Sequence, residues 1–170
     1  MAANLTPVFL VNAQSDPIVI KVRGRASFMN SNLVRDFFMQ SIQDGRRRFA
    51  VDFAECAGMD STFLGVLAGT ALELRKSVPR GSLVFCRLGA RNLELVRNLG
   101  LHRLATVDCG SIVPTEVGDP GRPLEGPKLS EVELARTCLD AHRKLVEADP
   151  KNLGEFKDVI EVLRKRVAEG

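Results

Sequence analysis

Asp60, Ser61 and Thr62 stand side by side in A-G-M-D-S-T-F-L-G-V-L, residues 57–67, an apolar stretch interrupted by one acid and two hydroxyls. Two kinds of chemistry suit such a cluster. Asp, Ser and Thr are favoured caps, because a side-chain oxygen accepts a hydrogen bond from an otherwise unpaired amide of a helix's first turn. Capping needs only one of the three. A helix N-terminus also carries free amides and positive partial charge, which suits a phosphate. A phosphoryl group on Ser61 would add about −1.5 to −2 charges at pH 7. Enzymatic use of Ser61 as a nucleophile would need a base. The histidines are His102 and His142, and neither sits in a recognisable catalytic motif. His102 is expected on the surface or in a loop, and His142 in a packing or surface role on a helix. Cys56, Cys86, Cys109 and Cys138 form no C-x-x-C pair, so free, mostly buried thiols are expected rather than a metal site. Gly65 and Gly69 belong to no G-x-G-x-x-G or Walker pattern, so no nucleotide or other cofactor is expected.

Composition narrows the classes further. A chain of 170 residues fits one domain with an appendage. Hydrophobic residues at 45% and charged residues at 26% are ordinary for a globular protein. With no Trp or Tyr and a net charge of +3, there is neither an aromatic platform set nor a basic stripe for nucleic acid. Arg46–Arg48 and Arg164–Arg166 read as solvated faces. No apolar run approaches the 18 or so residues that cross a bilayer, and the N-terminus lacks signal-peptide character, so a cytoplasmic protein is expected.

The elements that must position the cluster follow from periodicity. Val8–Val11 and Ile18–Val22 read as a hairpin around N-A-Q-S-D-P, with Gly24 closing the second strand. Helical spacing from Ser27 places Phe28, Leu33, Val34, Phe37, Phe38 and Ile42 on one face. Arg48–Phe53 reads as a strand. Residues 63–74 form a helix apolar over most of its circumference, hence buried. Asp60, Ser61 and Thr62 therefore fall in a strand-to-helix loop. Ser82–Cys86 reads as a central strand, Leu93–Gly100 as a short helix, and Leu104–Val107 as a last strand. The alternation β-β-α-β-α-β-α-β over residues 1–110 predicts an α/β fold with a mixed, mainly parallel sheet of about five strands. Residues 111–128, dense in Pro and Gly, read as a linker. Residues 129–170 predict two amphipathic helices, one opened by a Ser130/Glu133 capping box and one by Asn152 with Glu155. This hairpin either covers apolar surface of the sheet domain or serves as an oligomerisation or docking arm.

V-D-F-A-E-C-A-G-M-D-S-T-F-L-G-V-L, residues 51–67, resembles the signature of the STAS domain found in bacterial anti-sigma factor antagonists: a strand ending in Asp, a loop, then D-S-[ST]-G-L-x-x-L opening a helix. N-L-G-L-H-R-L, residues 98–104, is similar to the family's stretch before its final strand. The resemblance implies a non-catalytic bacterial regulator whose Ser61, or alternatively Thr62, is phosphorylated by a serine kinase that is also the anti-sigma factor. A PP2C-type phosphatase would reset it. Asp60, Ser61, Thr62, Phe63 and Ser27 are the implied partner-binding residues. Phe63 replaces the family's usual Gly and either plugs the core or joins a contact surface. Ser27, in G-R-A-S, stands where the family often has an acid. The alternative is a STAS-type scaffold that assembles through its C-terminal helices without a phosphorylation cycle.

Overall fold

The computed structural model describes residues 7–108 and 121–170. Strands β1 (Phe9–Asn12) and β2 (Ile18–Ala26) form the opening hairpin. They are followed by α1 (Ser31–Gln43), β3 (Arg48–Met59), α2 (Ser61–Lys76), β4 (Ser82–Cys86), α3 (Ala90–Asn98), a 3-10 turn at Leu101–Arg103, and β5 (Thr106–Asp108). Then come β6 (Arg122–Pro123), α4 (Glu131–Ala148) and α5 (Asn152–Glu169). The sheet order is β5-β4-β3-β2-β1-β6, parallel from β2 through β5 and antiparallel at β1–β2 and β1–β6. The mixed, mainly parallel α/β architecture is the expected one, with six strands among the described residues instead of about five.

Alternate strand residues point to one face. Phe9, Ile18, Ile20, Phe49, Val51, Phe53 and Phe85 accordingly form a single core with Val34 and Phe38 of α1 and Phe63, Leu64 and Leu67 of α2. Aromatic edges lock it: Phe38 meets Phe49 at 5.3 Å and Phe53 meets Phe85 at 5.6 Å, both edge-on, the arrangement that the ring quadrupole favours.

Several boundaries move for identifiable reasons. Gly24 does not end β2. It lies at φ +76°, a left-handed position glycine adopts without strain, beside register shifts that let β2 and β3 continue together. The longer ladder pairs Ala26 with Met59 and is bridged on its exposed face by Arg23 and Glu55 at 3.0 Å. Helix α1 starts later than expected, because Ser27–Asn30 is a turn held by side chains. Asn30 Oδ1 accepts from Ser27 N at 2.9 Å, and Asn30 Nδ2 donates to the Arg25 carbonyl at 3.1 Å. Phe28 thus leaves the helix face assigned to it and is 44% exposed. The last strand slips to Thr106–Asp108 because Leu101–Arg103 is consumed by the 3-10 turn after Gly100 at φ +80°.

Residues 111–120 of the expected linker lie outside the described residues. Within 121–128, however, Arg122 and Pro123 pair with Val11 and Leu10, and Leu124 N donates to Phe9 O at 3.0 Å. Proline is tolerated there because an edge strand needs no second row of donors.

The Ser130/Glu133 capping box forms in both directions. Asn152 is no cap: its amide is buried and donates to the Leu99 and Leu145 carbonyls at 3.0 and 2.8 Å, stapling the α4–α5 turn to the end of α3. Helix α4 lies along α2, and α5 lies along α4. Among the described residues, no helix is long and apolar enough to cross a membrane.

Candidate functional site

Because β3 runs to Met59, the expected strand-to-helix loop shrinks to one residue. Asp60 is the N-cap of α2, and Ser61 is the helix's first residue. Asp60 N donates to the Ala26 carbonyl at 3.1 Å, so the ends of β2 and β3 deliver the helix start and the 27–30 turn to the same place. The Asp60 carboxylate then joins them. Its Oδ1 accepts from Phe63 N at 2.9 Å, and its Oδ2 accepts from Phe28 N at 2.7 Å. One side chain thus caps a helix and pins the turn that carries Ser27. Ser27 itself is used locally, its carbonyl accepting from Ser31 Oγ at 2.6 Å and its Oγ from Met29 N at 3.3 Å.

Asp60→Ala removes both bonds. The lost cap costs about 0.5–2 kcal/mol, and loss of the exposed bond to the Phe28 amide about 0.5 more. Urea unfolding of this variant is expected to show a loss of about 2 kcal/mol, and a loss below about 0.5 kcal/mol would show that the carboxylate clamps nothing.

Phe63 resolves into the first of its two expected roles. Its ring is fully buried and stacks on Phe9 at 5.7 Å and 17°. It therefore offers no surface to a partner in this conformation. The reason is helical geometry: residue 63 points into the sheet, while the half-buried Ser61 points away toward α4.

Ser61 Oγ lies 2.9 Å from His142 Nε2, across 81 residues of sequence. The other ring nitrogen, Nδ1, is 2.6 Å from the Cys138 carbonyl. A carbonyl only accepts, so Nδ1 carries the proton, and in the neutral ring Nε2 is left to accept from the Ser61 hydroxyl. The imidazole is itself buried and packs edge-on against Phe156 at 5.1 Å. One turn earlier on α4, the Cys138 thiol lies beside Thr62, whose side chain is almost wholly buried. Burial is the main cause pushing the Cys138 thiol above its ordinary range, and the neighbouring Thr62 hydroxyl opposes it.

The contact depends on small residues. A Cβ on Gly65 would stand 2.2 Å from the Ala141 carbonyl oxygen, and one on Gly69 would stand 3.1 Å from the Lys144 stem. These glycines let two helices approach closely.

A second paired charge lies under the sheet's end. Asp52 is buried on β3 and accepts from Arg87 Nε at 2.9 Å and from Ala54 N at 3.1 Å; Arg87 Nη2 also pairs with it. The hydrogen bond to Asp52 chiefly raises the guanidinium pKa. Next to it, burial pushes the Cys86 thiol up to about 11, with the charges of Asp108 and Asp52 adding to the shift. Cys109 lies outside the described residues; Cys56, Cys86 and Cys138 are free thiols. Among the described residues, no group of three His, Cys, Asp or Glu side chains could hold a metal ion.

Chemically, His142 could take the Ser61 proton, but it is oriented by a backbone carbonyl and not by a carboxylate. The helix that carries it also covers the hydroxyl. His142, Cys138 and the two glycines were invisible as site residues in the sequence. The only linear hint was the spacing of small residues at 65 and 69 on α2 against Cys138, Ala141, His142 and Leu145 on one face of α4.

The known proteins most informative for this arrangement share its sheet. An anti-sigma factor antagonist from Mycobacterium paratuberculosis superposes with a TM-score of 0.54 at 17% identity, covering 65% of this chain and 92% of that one. The phosphorylated form of SpoIIAA, described as a Bacillus cell fate determinant, gives a TM-score of 0.50 at 18% identity, covering 59% of this chain and 90% of that one. At such identities the likeness is one of fold. No match is found among curated proteins. The sequence itself matches the family described as "Mlab, STAS domain" over residues 9–111, from the first residue of β1 to just past β5. That span holds the whole D-S-T-F-L-G-V-L segment, and the chain belongs to the STAS family.

Proposed function

We propose that this protein is a non-catalytic, cytoplasmic regulator of the anti-sigma factor antagonist type. It binds a partner serine kinase through the surface around Ser61 and is switched by phosphorylation of that residue, with a PP2C-type phosphatase resetting it. One observation carries the reading: Ser61 is the first residue of α2, held in place by the Asp60 cap, in a chain of the STAS family. A phosphoryl group there meets the positive end of a helix dipole. In a fitted partner contact, the same dianion acts by desolvation and repulsion. Thr62 is the weaker candidate because its side chain is buried.

Incubation with the cognate kinase and ATP, followed by mass-spectrometric mapping, is expected to place one phosphate on Ser61. Absence of phosphate at both Ser61 and Thr62, under conditions that modify a control antagonist, would overturn the reading. Ser61→Asp is expected to weaken partner binding roughly tenfold to a hundredfold relative to Ser61→Ala, the equivalent of about 1.4–2.8 kcal/mol.

A second reading, a scaffold assembling through the C-terminal helices, is favoured by Leu153, Val159 and Val162 of α5, which remain exposed. An unmodified Ser61 together with concentration-dependent self-association in sedimentation would select it.

A further inference from the structure

The head of α2 is covered at three successive points by α4. Cys138 meets Thr62, His142 meets Ser61, and the Ala141 carbonyl faces Gly65. In the neutral ring the single Ser61 hydroxyl hydrogen is committed to a hydrogen bond with His142 Nε2. A phosphoryl group on Oγ would stand where the imidazole now is. A kinase, moreover, must bring the acceptor oxygen into line with the γ-phosphate inside its own site. Helix α4 obstructs both, since it half-buries Ser61 and occupies the direction of its hydroxyl bond.

The cover is a helical hairpin whose apolar seam, Ala141, Leu145 and Phe156, joins the core shared with α2 and the sheet. Helix α4 has its own capping box, and Phe156 of α5 packs on His142 of α4, so the two helices hold each other. Among the described residues, their polar ties to the rest of the molecule are, besides Ser61–His142, Arg35–Thr137 at 3.0 Å, Lys76–Glu147 at 3.5 Å, Arg103–Asp149 at 3.6 Å and the Asn152 bond to Leu99. The two ion pairs have exposed cations, and such pairs contribute little. Between Leu124, fixed to β1, and the Ser130 cap lie the exposed residues 125–128 and the half-buried Leu129.

We propose that the α4–α5 hairpin is a removable cover on Ser61. Closed, it shields the hydroxyl from any macromolecular partner; open, it swings away about residues 125–129 and leaves the α2 face free. Phosphorylated Ser61 cannot take back the same contact, so the modification holds the hairpin open. The regulatory meaning rests on Ser61 being a phosphate acceptor. The cover itself does not, and its test contains no kinase.

Ser61→Cys is introduced into the full chain and treated with a bulky maleimide–polyethylene glycol reagent, and labelled sites are mapped by mass spectrometry. Cys86, wholly buried in β4, reports global unfolding. Position 61 is expected to label slowly. Adding Gly65→Leu, whose side chain cannot coexist with the Ala141 carbonyl, is expected to speed labelling about tenfold or more while Cys86 stays protected. Tenfold corresponds to about 1.4 kcal/mol of lost closure. Asn152→Ala, which releases the hairpin turn from Leu99 without touching α2, is expected to act in the same direction and serves if the leucine variant does not fold. Native Cys138, on the α4 side of the contact, gives the same readout with Ser61 intact. Labelling of position 61 at the rate of a surface cysteine in the parent background would overturn the cover. So would unchanged rates in both variants, or Cys86 opening together with position 61 in both.

Discussion

Phe63→Ala is expected to lower the free energy of unfolding by about 3–5 kcal/mol, the range for removing a buried aromatic ring that its surroundings cannot replace. The surroundings here are fixed. The ring stacks on Phe9 of the second-outermost strand, and the position lies in the first turn of α2, one residue beyond the buried Thr62. Collapse of the cavity would require moving the helix, whose amide at residue 63 is held by Asp60. Phe63→Gly, which restores the residue usual in the family pattern, is expected to cost up to about 1 kcal/mol more through helix propensity. Since whole domains are stable by only about 5–15 kcal/mol, either substitution removes a large share. Urea denaturation measures it. A loss below about 1.5 kcal/mol would mean that the ring fills no essential space, and the family's glycine would then be a free alternative.

Arg87→Ala is expected to cost about 2–3 kcal/mol, because it strands the buried Asp52 carboxylate with one backbone amide as partner. Breaking a buried pair costs about 3–5 kcal/mol. The guanidinium side chain here is 41% exposed, so water tempers the loss, and the lower figure is the better one. Arg87 also sits at φ +56°, in the left-handed region. Arg87→Gly should therefore be less damaging than Arg87→Ala by about 1 kcal/mol, since glycine occupies that region without a Cβ penalty. Equal losses for the two variants would show that backbone strain plays no part. A loss under about 0.5 kcal/mol for both would show that the ion pair contributes nothing.

Much of the fold was legible because its signals are local. The periodicity of Phe63–Leu74 and of Ser82–Cys86, the Ser130/Glu133 box and the glycine stop at Gly100 each act within a turn or two of chain. The readings that shifted depend on partners distant in sequence. Gly24 reads as a stop by itself and as a bulge once β3 lies beside it. Asn152 reads as a cap until the Leu99 carbonyl is near. The Pro/Gly-dense stretch holding Pro123 reads as a linker until Arg122 and Pro123 meet the edge of β1. The site divides in the same way. Asp60 and Ser61 could be picked out from residue type and spacing, whereas the Ser61–His142 contact joins positions 81 residues apart that no local rule connects.

The small strand β6 sets how strongly the hairpin competes with anything in solution. By fixing the chain at Arg122–Leu124, it reduces the tether of α4 to the stretch from Leu124 to Ser130, at most roughly 20 Å when fully extended. A short tether holds its cargo at an effective concentration in the millimolar range. An external partner at micromolar concentration therefore competes with a rival about a thousandfold more abundant at the α2 face, and must bind that face correspondingly better. Peeling Arg122 and Pro123 from β1 would lengthen the tether and weaken the rival, so the pairing of two residues at the sheet edge tunes an encounter at the opposite end of the hairpin's reach.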